Sequence, residues 1–204
     1  MNSETIEVKK DDLQALYEVL TNYPAISKEQ VVNEMHKCFG EDIFKPKDVT
    51  ERIKTFEDAC NELGKEHTLV REYWDVHHTD IMFGADIIAY LKLRIIAAAL
   101  NEGWEPQFTE DEVRWYPWFI LWTEEELSEK SDEWKADRHL ISTGDYSGDL
   151  AGFAFADSSS VPSVTYSAFG SRLCFKSEAL ATYCGKQFIS LWADFNLIKK
   201  KQVK

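Results

Sequence analysis

Along the first half of the chain, apolar residues recur three and four positions apart, and this spacing predicts helices. Leu13, Leu16, Tyr17 and Leu20 form one stripe, which ends at Asn22-Tyr23-Pro24. Ser27 opens a second helix, with Gln30 at the capping-box position, Val31, Met35 and Phe39 on one face, and Gly40 as the stop. Asp48 caps a third, whose stripe of Val49, Ile53, Phe56, Cys60 and Leu63 runs to Gly64. A fourth covers 68–78. The fifth, 85–101, is apolar on most sides (Ile87, Ile88, Leu91, Leu93, Ile95, Ile96, Leu100) and is expected to be the central buried helix.

The pattern changes after residue 105. Residues 115–122 are aromatic and β-branched and read as a strand, with Pro117 marking an edge or a bulge. Residues 149–156 read as a second strand and 157–162 as a surface turn. Residues 163–168 and 171–175 read as further strands around Gly170. A last helix begins at Ser177, with Leu180, Cys184, Phe188, Leu191, Trp192 and Phe195 as its stripe and Lys199, Lys200 and Lys201 beyond its end. The expected class is α+β, with N-terminal helices and a C-terminal helix packed on a small antiparallel β-meander. Residues 1–45 are expected to form a helical extension and 46–204 a single α+β domain.

Charge narrows the range of partners. The net charge is −13, and residues 101–150 carry 14 acids against four bases. Such a field repels a phosphate backbone and an anionic leaflet, so neither direct nucleic-acid binding nor membrane association is expected. The polar N-terminus lacks the shape of a signal peptide, and the longest apolar run, 87–100, is broken by Lys92 and Arg94. Cys38, Cys60, Cys174 and Cys184 are widely spaced without a C-x-x-C pair, and read as reduced thiols of a cytoplasmic protein.

Four segments resemble a pattern that recurs in a family of Bacteroides phage and prophage proteins: 52–64 (RIKTFEDACNELG), 89–106 (AYLKLRIIAAALNEGWEP), 116–119 (YPWF) and 170–195 (GSRLCFKSEALATYCGKQFISLWADF). The resemblance implies a phage-derived protein made in the host cytoplasm, and brings no assigned activity with it.

Candidate chemistry is sparse. There is no G-x-S-x-G elbow, no G-x-x-x-x-G-K-[ST] loop and no G-x-G-x-x-G. Asp145 and Asp149 flank a turn without the ligand density of a calcium loop. Asp75, His77, His78 and Asp80 are the one cluster of ligand type. Asp75 and His78 could share a helix face, yet the spacing matches no metal signature, so neither a metal nor a cofactor is expected. Trp115, Trp118 and Trp122, with Trp104 and Tyr116 nearby in sequence, are candidates to stack a nucleotide-type ligand whose phosphate meets Arg172; burial in a core competes with that reading. Glu124, Glu125, Glu126, Asp132 and Glu133 are candidates to dock a basic partner, against the plainer reading of a solvated helix face.

No residue set demands an enzyme. The leading expectation is a phage-derived accessory protein that binds a host or phage protein through its acidic surface. The alternatives are a small-ligand binder that antagonises host defence and a virion or assembly component.

Overall fold

A computed structural model describes residues 9–22, 27–40, 44–79, 82–162 and 170–200. The chain divides into two compact units, Met1–Lys47 and Asp48–Lys204. The smaller holds α1 (Lys10–Thr21) and α2 (Lys28–Phe39). Leu13, Val31 and Met35 are buried together, with Tyr17, Leu20 and Phe44 against them. The Ser27 hydroxyl accepts from the Gln30 amide at 3.2 Å and the Gln30 side chain accepts from the Ser27 amide at 3.1 Å, which completes the capping box.

The larger unit is α+β. It runs α3 (Val49–Arg52), α4 (Phe56–Leu63), α5 (Thr68–His77), α6 (Ala85–Leu100), β1 (Val113–Trp122), α7 (Glu124–Ser128), α8 (Asp132–Asp137), β2 (Ile141–Ser142), β3 (Gly152–Pro162), a 3-10 turn at Ser171–Leu173, α9 (Glu178–Gln187) and α10 (Ile189–Asn196). None of the described helices is long and apolar enough to cross a membrane. At the centre, α6 buries Leu93, Ile95, Ile96 and Leu100, each contributing about 1.5–3 kcal/mol by leaving water. Helices α4, α5 and α10 pack around it.

The stripe expected to make one helix from Asp48 to Gly64 is broken. The Asp58 carboxylate accepts from the amides of Lys54 at 3.0 Å and Thr55 at 2.9 Å, while the Thr55 hydroxyl accepts from the Asp58 amide. This capping box starts α4 afresh and leaves Ile53 extended and fully buried. The carbonyls freed by the break are taken by α9: the Tyr183 hydroxyl donates to Ile53 O at 2.6 Å and the Gln187 amide to Lys54 O at 2.8 Å. The C-terminal helix is interrupted too, at Phe188, which separates α9 from α10.

The described sheet has three antiparallel strands in the order β1-β3-β2, so the last strand in chain order lies in the middle. Residues 157–162, expected as a surface turn, instead prolong β3 to Pro162 and pair with Val113–Trp118. The serine run is held there by the ladder and by the Thr182 hydroxyl, which donates to the Ser158 hydroxyl at 3.0 Å. A bulge at Trp118/Phe119 lets the two halves of β1 pair in shifted register. The expected strand at 171–175 is the 3-10 turn followed by a single bridge, Phe175 to Trp115. The expected strand at 163–168 lies outside the described residues.

Two close approaches fix the layers on the sheet. A Cβ built on Gly185 would fall 2.8 Å from Pro117 Cβ and from a ring carbon of Phe155, so the backbone of α9 rests directly on side chains of β1 and β3. Leu127 of α7 and Leu140 sit against Gly152. Gly152 alternates with the core-facing Phe153 and Phe155, so the acidic segment covers the opposite face at this end. Gly185→Ala is expected to destabilise the protein by about 1–3 kcal/mol, because overpacking outweighs the roughly 1 kcal/mol gained in helix propensity. Urea unfolding checks this: a variant as stable as the parent would mean that α9 can back away from the sheet.

Candidate functional site

The tryptophans expected to share a stacking platform are dispersed by strand alternation. Trp115 is half-buried and packs on the core. Trp118 points to the other side and is 40% exposed. Trp122 is half-buried, its ring 5.1 Å from that of Trp134 and capped by the Lys130 ammonium at 5.0 Å. Arg172 is not with them. It is exposed on the 3-10 turn and lines a separate cleft.

The expected ligand pair Asp75 and His78 is exposed at the end of α5, where a His78 ring nitrogen bonds the Trp74 carbonyl at 2.7 Å. Asp80 lies outside the described residues. Among the described residues no group of three or more His, Cys, Asp or Glu is placed to hold a metal ion.

The acidic segment is two short helices. Glu126 serves its own helix: its carboxylate accepts from the Thr123 amide at 2.9 Å and from the Thr123 hydroxyl at 3.1 Å, and these bonds hold it below the usual carboxylate range. Glu124, Glu125, Glu129, Asp132 and Glu133 are exposed, and none forms an ion pair among the described residues. Leu127 is buried and Trp134 rests on Trp122, so the helices turn their apolar sides inward and hold the carboxylates outward.

Next to this segment, β1 exposes a second feature. Trp118, Ile120 and Leu121 are 40%, 44% and 39% exposed. β1 is an edge strand, bridged on its outer side only at Trp115–Phe175 among the described residues. Alternation turns the peptide groups of Phe119 and Leu121 toward that same side, where no other described strand pairs with them.

The cleft that holds Arg172 has a volume of about 490 Å³ and lies between the C-terminal half of α6, the segment after it and the 3-10 turn. Its form depends on Asn101. This buried side chain donates to Cys174 O at 2.8 Å and accepts from the Lys176 amide at 3.0 Å, acting as a strand partner for the turn. Beside it, Glu102 ties Lys176 at 2.9 Å and Arg52 at 2.8 Å, and Arg52 also reaches Glu62 at 3.0 Å. Cys174, in the cleft wall, donates to Ser171 O, and burial pushes its thiol up to about 11, so it is no thiolate nucleophile at neutral pH. Cys184 is pushed up to about 12 by burial. Both thiols are free, as is the half-buried Cys60. Sequence reasoning named two residues of the cleft, Trp104 and Arg172, but missed Arg94 and Phe108, which lie on other elements; the N-E-G-W run after α6 was the available signal for its position.

Comparison with family models, with curated proteins and with solved structures finds no match.

The Lys176 and Arg52 cations hold the Glu102 carboxyl below its ordinary range. A lowered folded-state value stabilises the fold above the unfolded-state value of about 4.3, and that contribution is lost as pH falls through the folded value. Glu102→Gln is therefore expected to melt below the parent at pH 7, with the two melting temperatures converging as pH drops below about 4. An equal gap at pH 7 and pH 3 would assign the effect to something other than this carboxylate's charge.

Proposed function

We propose that the protein acts by binding another protein along β1 and the acidic helices beside it. One observation carries this reading: Trp118 and Ile120, on one face of an edge strand, stand exposed beside the outward-held carboxylates of α7 and α8, with Leu121 exposed on the other face. An apolar centre with a charged border is the usual make-up of a protein interface. The side of Phe119 and Leu121 that no described strand pairs suits an extended partner segment that adds to the sheet, and the acidic border suits lysines and arginines flanking that segment. The likeness of four segments to phage and prophage proteins supports a host or phage protein as the partner.

Two variants separate the contributions. Ile120→Lys is expected to weaken a crosslinked and identified partner at all salt concentrations. Glu124→Lys with Glu125→Lys and Glu129→Lys is expected to weaken it by at least about tenfold at low salt, with the loss shrinking as salt rises. Glu126 is left intact because its carboxylate caps α7. A partner held equally by both variants and by the parent would refute the reading.

A further inference from the structure

The cleft beside Asn101 presents two guanidinium groups, Arg94 and Arg172, in a chain of net charge −13. Arg172 is exposed on its rim and makes no hydrogen bond or ion pair among the described residues. Arg94 also lines it; one of its nitrogens holds Glu72 at 3.1 Å, and a guanidinium has five donors to place. Arg114 lies behind the wall, 1% exposed, and donates to the Ser171 hydroxyl oxygen at 2.6 Å. Ser171 lines the cleft, and with its oxygen accepting from Arg114 its own hydrogen is left to donate elsewhere. Acidic groups are present as well: Glu72 is taken by Arg94, and Glu105 lines the cleft.

The remaining wall is aromatic. Trp104 is half-buried and Phe108 is exposed. Phe108 has φ of 58°, a left-handed backbone that costs a bulky residue of order 1–3 kcal/mol. Its ring lies 5.1 Å from the Arg114 guanidinium. With half its surface in water, Phe108 keeps part of its ring open to the cleft it lines.

We propose that this cleft binds a nucleoside monophosphate, its phosphate on Arg172, Arg94 and the Ser171 hydroxyl and its base against Trp104 and Phe108. A planar guanidinium fork matches phosphate oxygens, and a base offers a flat face to either ring. The cleft volume lies within the range of small-molecule sites. This site is separate from the protein-binding surface and stands or falls without it.

Titration calorimetry of the whole protein with AMP, GMP, guanosine and inorganic phosphate tests the assignment. At least one monophosphate is expected to bind, with guanosine and phosphate each at least about tenfold weaker, since each lacks one half of the recognition. Arg172→Glu is expected to abolish binding and leave the melting temperature of this exposed position unchanged; Trp104→Leu is expected to weaken the nucleotide but not phosphate. The proposal is overturned if neither monophosphate binds at millimolar concentration, if phosphate binds as tightly as the nucleotides, or if Arg172→Glu binds like the parent.

Discussion

The Asn101 side chain joins the two halves of the larger unit. Its amide occupies both the Cys174 carbonyl and the Lys176 amide, groups that would otherwise be left without a partner where the chain leaves the 3-10 turn. A buried amide that satisfies two backbone groups is hard to replace, because each group stranded without a partner costs about 1–3 kcal/mol. The tie fixes the end of α6 against the turn. From that junction the chain continues to Phe175, which bridges Trp115 of β1, and to Ser177, which caps α9. The cleft, the outer edge of β1 and the start of α9 all inherit their positions from it.

From there α9 lies flat on the sheet because Gly185 presents no side chain to Pro117 and Phe155. Its Tyr183 and Gln187, one turn apart, reach across to the carbonyls released where α3 ends and α4 begins. The break in the helical stripe and the Tyr183–Gln187 side of α9 are thus complementary features. On the far side of the sheet, α7 and α8 bury Leu127 and rest Trp134 on Trp122, so the acidic run is held in shape by the same strand whose apolar residues it borders.

Periodicity made α5 and α6 legible, because each presents one uninterrupted stripe or an all-round apolar face to the core. It also merged α3 with α4. The Thr55–Asp58 capping box was present in the sequence, but a stripe that stays in phase across a break hides it. The serine run of β3 was illegible for a different reason: 157–162 has the composition of a turn, and only its pairing with Val113–Trp118 makes it a strand. The acidic residues were placed on the surface correctly, although Glu126 proved to be a cap. The aromatic platform failed as a unit because alternation sends Trp115 and Trp118 to opposite faces, while Arg172 lies with Trp104 and Phe108 in a cleft built from several elements. Such convergence is a tertiary property that spacing along one chain does not encode.

The most direct test of this dependence on Asn101 is amide hydrogen exchange at Lys176. Lys176 is an exposed residue and its amide lies outside every described helix and strand ladder, so the Asn101 oxygen is what shields it. Exchange is predicted to be slow, with protection close to that of the α6 core amides, since opening this bond requires separating α6 from the turn. Exchange at the rate of exposed loop amides such as Gly148 would contradict the account and leave the cleft and the edge of β1 without a common anchor.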